Sequence, residues 1–298
     1  MAWSATLVPD PDVRHLAVSP DAVWLASDKA IYVSTDNGAT VDAKALDLPS
    51  LDPKSPPRVV SLAARGSTLF LASDAHVLVG DDFAKHTKLA FAPTHTKGGA
   101  IAPSPIAGLG LAAQQVLLAE RNGTVRRGDA WQPLPGVPSH TEAALAIHGN
   151  ADAHLYLVFE DGLAVSTDGG ASWHDRSLPE PGHLAVGRGG AAMLLGDRLH
   201  LSTDAAASWK PLELNATAVA GGACAGEWMV ASSEGLSLSR DQGASFSPEA
   251  LSLAHDVGEG ADFEVTTLWR GETRGFGLGR VTIDEDTRPV LLIAQALK

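Results

Sequence analysis

Cysteine is nearly missing: Cys224 is the one thiol in 298 residues. A lone thiol excludes an intrachain disulfide and any zinc site built on several cysteines. Aromatics are scarce at 5%, with two tyrosines, so the core must be built mainly from Ala, Val and Leu. Cations are outnumbered, 22 Lys and Arg against 35 Asp and Glu, for a formal net charge of -13. Nucleic acids and anionic membrane surfaces both attract clustered cations, and this balance argues against either partner. No apolar run reaches the ~18 residues of a membrane-spanning helix. Met1–Asp12 shows neither the basic start nor the apolar stretch of a secretory signal, so a cytoplasmic protein is expected. Sustained helical periodicity is missing too.

Repetition is what the chain has instead. Four segments share one pattern: Ser34-Thr-Asp36-Asn-Gly38-Ala-Thr-Val41, Ser166-Thr-Asp168-Gly-Gly170-Ala-Ser-Trp173, Ser202-Thr-Asp204-Ala-Ala206-Ala-Ser-Trp209 and Ser239-Arg-Asp241-Gln-Gly243-Ala-Ser-Phe246. Degenerate copies fall at Gly80-Asp81-Asp82-Phe83 and Gly128-Asp129-Ala130-Trp131. Each copy follows short apolar runs, such as Leu184–Val186, Ala192–Leu195 and Arg198–Leu201, and a further short run follows it, as in Lys210–Leu214. Short runs bounded by Gly, Asp, Asn and Ser read as strands joined by hairpins. Four strands in about 40 residues is one propeller blade. An all-β chain of this length is expected to form a single domain, 1–298.

The repeated segment resembles the Asp-box, or BNR repeat, Ser-x-Asp-x-Gly-x-x-Trp, of β-propellers such as sialidases, sortilin-type receptors and photosystem assembly factors. The resemblance spans about Leu16 to Pro248 and implies structural roles for Ser34, Asp36, Gly38, Ser166, Asp168, Gly170, Trp173, Ser202, Asp204, Trp209, Ser239, Asp241, Gly243 and Phe246. The carboxylate accepts N–H groups of its own turn, and the glycine supplies a positive φ. Val41 and Ala206 depart from the pattern, so those two turns are expected to be looser.

A propeller has to close its ring or leave an open sheet edge. Ala2-Trp3-Ser4-Ala-Thr-Leu7 resembles the segments after the repeated turns, so Trp3 is expected on the outer strand of a last blade completed by Phe263–Leu268, Gly275–Ile283 and Pro289–Ala294. That makes seven four-stranded blades. Six or eight stay open, because Pro93–Pro105 is irregular. Leu48–Pro57 and Lys97–Gly110 are read as loops that contact a partner.

No catalytic constellation emerges. The sialidase resemblance would require an Arg-Ile-Pro signature and a tyrosine nucleophile. Arg58 is instead followed by Val-Val, and Tyr32 and Tyr156 lie inside predicted strands. The photosystem-assembly branch would imply a positive patch and a leader, and neither is visible. Asp284-Glu285-Asp286 reads as a solvated turn. Cys224 reads as a buried, inert thiol of an innermost strand. His15 and His183 open equivalent innermost strands, and Asp262 precedes Phe263 at a matching place. These three, with Trp269, are the ligand candidates at a channel mouth. No cofactor or metal is expected. The leading reading is a non-catalytic module that binds a protein, one with a basic surface given the acid excess. The alternative is a carbohydrate-binding or glycoside-hydrolysing propeller. For that reading Trp24, Trp228 and Trp269 are the tryptophans outside the repeated turns, and Trp269 is the better sugar platform.

Overall fold

The computed structural model describes the chain except residues 1, 47, 49–57, 75, 82–87, 93, 98–99, 141, 223, 250–261, 271–273, 284–285 and 296–298. The fold is an all-β propeller of seven four-stranded antiparallel blades. Among the described residues the helical structure is one 3-10 turn, Arg188–Gly190. Blade 1 is His15–Val18, Val23–Ala26, Ala30–Ser34 and Asp42–Ala45; blade 2 is Val59–Arg65, Thr68–Ser73, Val77–Gly80 and Lys88–Phe91. Blade 3 is Ile106–Ala112, Gln115–Glu120, Val125–Arg127 and Gln132–Pro133. Blade 4 is Ala144–Gly149, Leu155–Phe159, Leu163–Ser166 and His174–Arg176. Blade 5 is His183–Val186, Ala192–Leu195, Leu199–Ser202 and Lys210–Leu212; blade 6 is Ala218–Gly221, Trp228–Ser232, Gly235–Ser239 and Ser247–Glu249. In these six, strand order follows the sequence from the innermost strand outward.

Blade 7 runs Asp262–Arg270, Arg274–Ile283, Asp286–Gln295 and then Ala2–Leu7. The N-terminal strand is therefore its outermost strand, with Trp3 opposite Ala294 and Leu7 opposite Val290. Trp3 is 2% exposed. Its ring lies against the backbone of Gly275, where a Cβ would stand 2.8 Å from it.

Burial explains the composition strand by strand. Second strands are covered on both faces and read as unbroken apolar runs: Val23–Ala26 and Leu155–Phe159 are buried at every position. Outer strands such as His174–Arg176 and Lys210–Leu212 are largely exposed. Pro133, Pro211 and Pro248 lie in outer strands, where a missing N–H costs no ladder bond and blunts a free edge.

Most of the described part of Lys97–Gly110 is strand rather than loop. Thr94–Lys97 pairs with Ala100–Pro103 as a two-stranded ribbon, and Ile106–Ala112 is the innermost strand of blade 3. Its prolines fall at a strand end and in the linker, where they break no ladder. Gly110 sits where innermost strands converge: a Cβ there would be 2.9 Å from the Ile147 carbonyl oxygen. The other proposed contact loop lies outside the described residues apart from Leu48, which is buried.

The chain divides into two compact units. One comprises Met1–Val18, Ser34–Asp42 and Pro179–Lys298, the other Ser19–Val33 and Ala43–Leu178. In the first, Trp3, Met229, Leu236, Val281 and Leu292 pack together, and Met193, Leu201 and Trp228 form a second cluster with Phe246 against it. In the second, Phe70, Leu118 and Trp131 form one cluster, and Leu117, Leu155 and Phe159 another with Trp173 against it.

Candidate functional site

The four repeated turns are built alike. In each, the first serine's hydroxyl donates to the aspartate at 2.8 or 2.9 Å: Ser34 to Asp36, Ser166 to Asp168, Ser202 to Asp204 and Ser239 to Asp241. The same oxygen accepts the N–H of Gly38, Gly170, Ala206 or Gly243 at 2.7 to 2.9 Å. The aspartate's other partners are the backbone N–H (2.9 Å) and hydroxyl (2.6 Å) of Thr40, Ser172, Ser208 or Ser245. Those hydroxyls stand at the same place in every copy of the pattern. The turns containing Val41 and Ala206 are no looser than the others, because the bonds run through serine and aspartate. Ala206 simply adopts the left-handed φ of +61° that glycine takes elsewhere. Trp173, Trp209 and Phe246 are half-buried. Each of the four carboxylates accepts three hydrogen bonds from within its own turn.

Hydrogen-bonding groups converge elsewhere, in a hollow of about 300 Å³ lined by Val13, Arg14, His183, Glu264, Thr266, Thr267, Leu278, Gly279 and Arg280. Arg14 is exposed just before the innermost strand of blade 1, and His183 is exposed at the start of that of blade 5. Glu264 and Arg280 stand opposite each other across blade 7. Among the described residues, Arg14, His183, Glu264 and Arg280 have no hydrogen-bond or ion-pair partner. The register of the innermost strand shifts between Val265 and Thr267, so Thr266 is an extra, bulged residue. A bulge re-aims side chains. Here the Thr266 hydroxyl donates to the Leu278 carbonyl at 3.1 Å. The bulge left a trace in the sequence: the alternation Phe263, Val265 slips by one to Leu268.

Of the four channel-mouth candidates, His183 lines the hollow. His15 is half-buried at the start of its strand, one residue from Arg14. The side chain of Asp262 lies outside the described residues. Trp269 is half-buried and packs on Phe276, ring centroids 5.8 Å apart. Trp24 and Trp228 are core residues at 3% and 0% exposure. Tyr32 and Tyr156 are buried, as expected. Cys224 is exposed, because its innermost strand ends at Gly221 and the thiol sits in the following turn. Asp284 and Glu285 lie outside the described residues, and Asp286 pairs with Arg288. Of the degenerate copies, Asp82 and Phe83 lie outside the described residues. Trp131 is buried and stacks on Phe91 at 5.6 Å. Among the described residues no group of three or more His, Cys, Asp or Glu is placed to hold a metal ion, and no helix is long and apolar enough to cross a membrane.

No family model and no curated protein matches the chain. Solved structures do. A structure described as YCF48 bound to D1 peptide is 16% identical, with a TM-score of 0.70 over 99% of this chain and 97% of that one. YCF48 from Cyanidioschyzon merolae is 13% identical, with a TM-score of 0.65 over 99% of both chains. PorZ, a surface component of the type-IX secretion system of Porphyromonas gingivalis, is 13% identical with a TM-score of 0.57, and the match spans 39% of its length. At these identities the likeness is one of fold.

Proposed function

We propose that the chain is a non-catalytic, Asp-box-type propeller that binds a protein partner at the hollow bounded by Arg14, His183, Glu264 and Arg280. The observation that carries this reading is the convergence of four exposed ionisable side chains that have no partner among the described residues. Ionisable groups with no partner among the described residues can pair across an interface, and charged side chains around a small apolar floor, here Val13 and Leu278, suit a recognition surface. The peptide-bound YCF48 structure supports the same reading, since it puts a peptide on a propeller of this fold. The net charge of -13 favours a partner with a basic surface and an association that weakens with salt. The hollow itself offers both signs of charge and so asks for a partner segment that carries both.

The carbohydrate reading has less behind it. Sugar rings stack on open aromatic faces, and Trp269 turns part of its surface to Phe276.

The test is capture from native lysate at low salt, with the wild type beside a variant carrying Arg14→Ala, His183→Ala and Arg280→Ala. The reading requires a stoichiometric protein on the wild type that the folded variant loses. A wild type that holds no protein but scores on a glycan array would replace this reading with the carbohydrate one.

A further inference from the structure

The connection between blades 3 and 4 is fastened by a histidine. His140 lies four residues before the innermost strand Ala144–Gly149. Its ring stacks on Phe159, with centroids 3.8 Å apart and planes 14° from parallel, and Phe159 is 1% exposed. Nδ1 faces Asp161 Oδ1 at 3.1 Å, and Nε2 faces Asp175 Oδ1 at 3.3 Å. Asp161 belongs to the turn between the second and third strands of blade 4, and Asp175 to its outer strand. The connector is thus tied to two other elements of the blade through one ring, whose side chain is 13% exposed.

A neutral imidazole has one N–H, and an ionised carboxylate only accepts. A neutral ring in this place would turn a lone pair toward one of the two carboxylates. The doubly protonated ring donates to both, and such charge-assisted bonds are the stronger kind. We infer that His140 is a pH-operated latch. It is shut while the ring is charged. It loosens once the ring gives up that charge, and so uncovers the face of Phe159. The charged groups that face the ring are Asp161 in the turn and Asp175 on the outer strand; Arg176 follows Asp175 in that strand, and Glu142 lies two residues along the connector. The Arg176 Nη1 donates to the Asp175 carbonyl at 3.1 Å, which leaves the Asp175 carboxylate facing the ring.

Blade 5 supplies an internal control. There the connector carries the acid, Glu180, and the third strand carries the histidine, His200, with Nε2 to Oε1 at 3.3 Å. The same Glu180 oxygen also accepts the Arg198 N–H at 2.9 Å. One carboxylate faces one ring nitrogen, so a single N–H satisfies the contact, and the backbone bond holds at any charge state.

The test is hydrogen exchange of the full chain at about pH 6 and about pH 8, each rate referred to the unfolded chain. The amides flanking His140, including Ala144, should lose protection by roughly tenfold at the higher pH, as expected for losing one hydrogen bond to a charged group. Amides flanking Glu180 should change much less. His140→Gln should abolish the difference. Asp175→Asn, which leaves the ring on Phe159, should reduce it. Equal protection of the wild-type connector at both pH values, or the same pH dependence in His140→Gln, would overturn the latch.

Discussion

In each repeated turn a serine hydroxyl joins the two ends. Ser166 is fully buried, and its Oγ accepts the Gly170 N–H at 2.8 Å. Ser166→Ala would leave that N–H buried without a partner, at a cost of about 1–3 kcal/mol readable by denaturant titration. The aspartates set an acid limit. The Thr40 hydroxyl, then the Thr40 N–H, then Ser34 hold the Asp36 carboxyl at about 2, below the ordinary 3.8. Ser245 in both capacities, then Ser239, hold Asp241 at about 2. Asp168 and Asp204 are lowered in the same way, by Ser172 and Ser208 first. A folded value below the unfolded one gives stability that is complete above the unfolded value and lost as pH falls through the folded one. Melting temperature should therefore fall between about pH 4 and pH 2, and replacing the four aspartates with asparagine should flatten that part of the profile. Serine, aspartate and glycine of these turns were legible from their fixed spacing. What could not be read was that alanine serves at position 206, because its left-handed φ is imposed by the bonds around it. Ala206→Gly should relieve that strain and raise stability by about 1 kcal/mol, seen as a higher denaturation midpoint.

Blades were legible wherever both faces of a strand are buried, because unbroken apolar runs such as Val23–Ala26 then mark the second strand. The seventh blade was legible from the likeness of Ala2–Leu7 to other outer strands. Trp3→Ala should cost about 3–5 kcal/mol and bare the edge of Asp286–Gln295, so aggregation on heating should rise alongside the loss of stability. Lys97–Gly110 was misread because its glycines and prolines carry the usual marks of a loop. In this chain glycine also marks innermost strands that nearly touch. At Gly149 a Cβ would stand 2.5 Å from the Leu111 carbonyl oxygen, so Gly149→Ala should destabilise the fold. Blade 3 lacks the aspartate turn and relies on a buried pair instead. Glu120 is 1% exposed, meets the Arg126 Nε at 2.7 Å, and Arg126 in turn covers the Phe91 ring. Glu120→Ala should cost roughly 3 kcal/mol by chemical denaturation, the lower end for breaking a buried pair, because Arg126 keeps some access to water.

For the whole molecule, net charge misleads about any one place on it. A chain at -13 still presents Arg14 and Arg280, with no partner among the described residues, in one hollow. The site was only partly legible for a related reason: its residues come from stretches far apart in sequence, and no local motif joins 13–14, 183 and 264–280. His183 was found because its strand repeats that of His15. Arg14, Glu264 and Arg280 were not, because a lone charged residue in or beside a strand reads as a solvated face until the fold sets it beside others. The most direct test of the account is a photo-crosslinking residue placed at Thr267 in the hollow, with a second at Lys210 on the outer strand of blade 5 as control, in native lysate. The account predicts one protein adduct from position 267 that fades as salt rises, and none from position 210. No adduct from 267, or the same adducts from both, would contradict it.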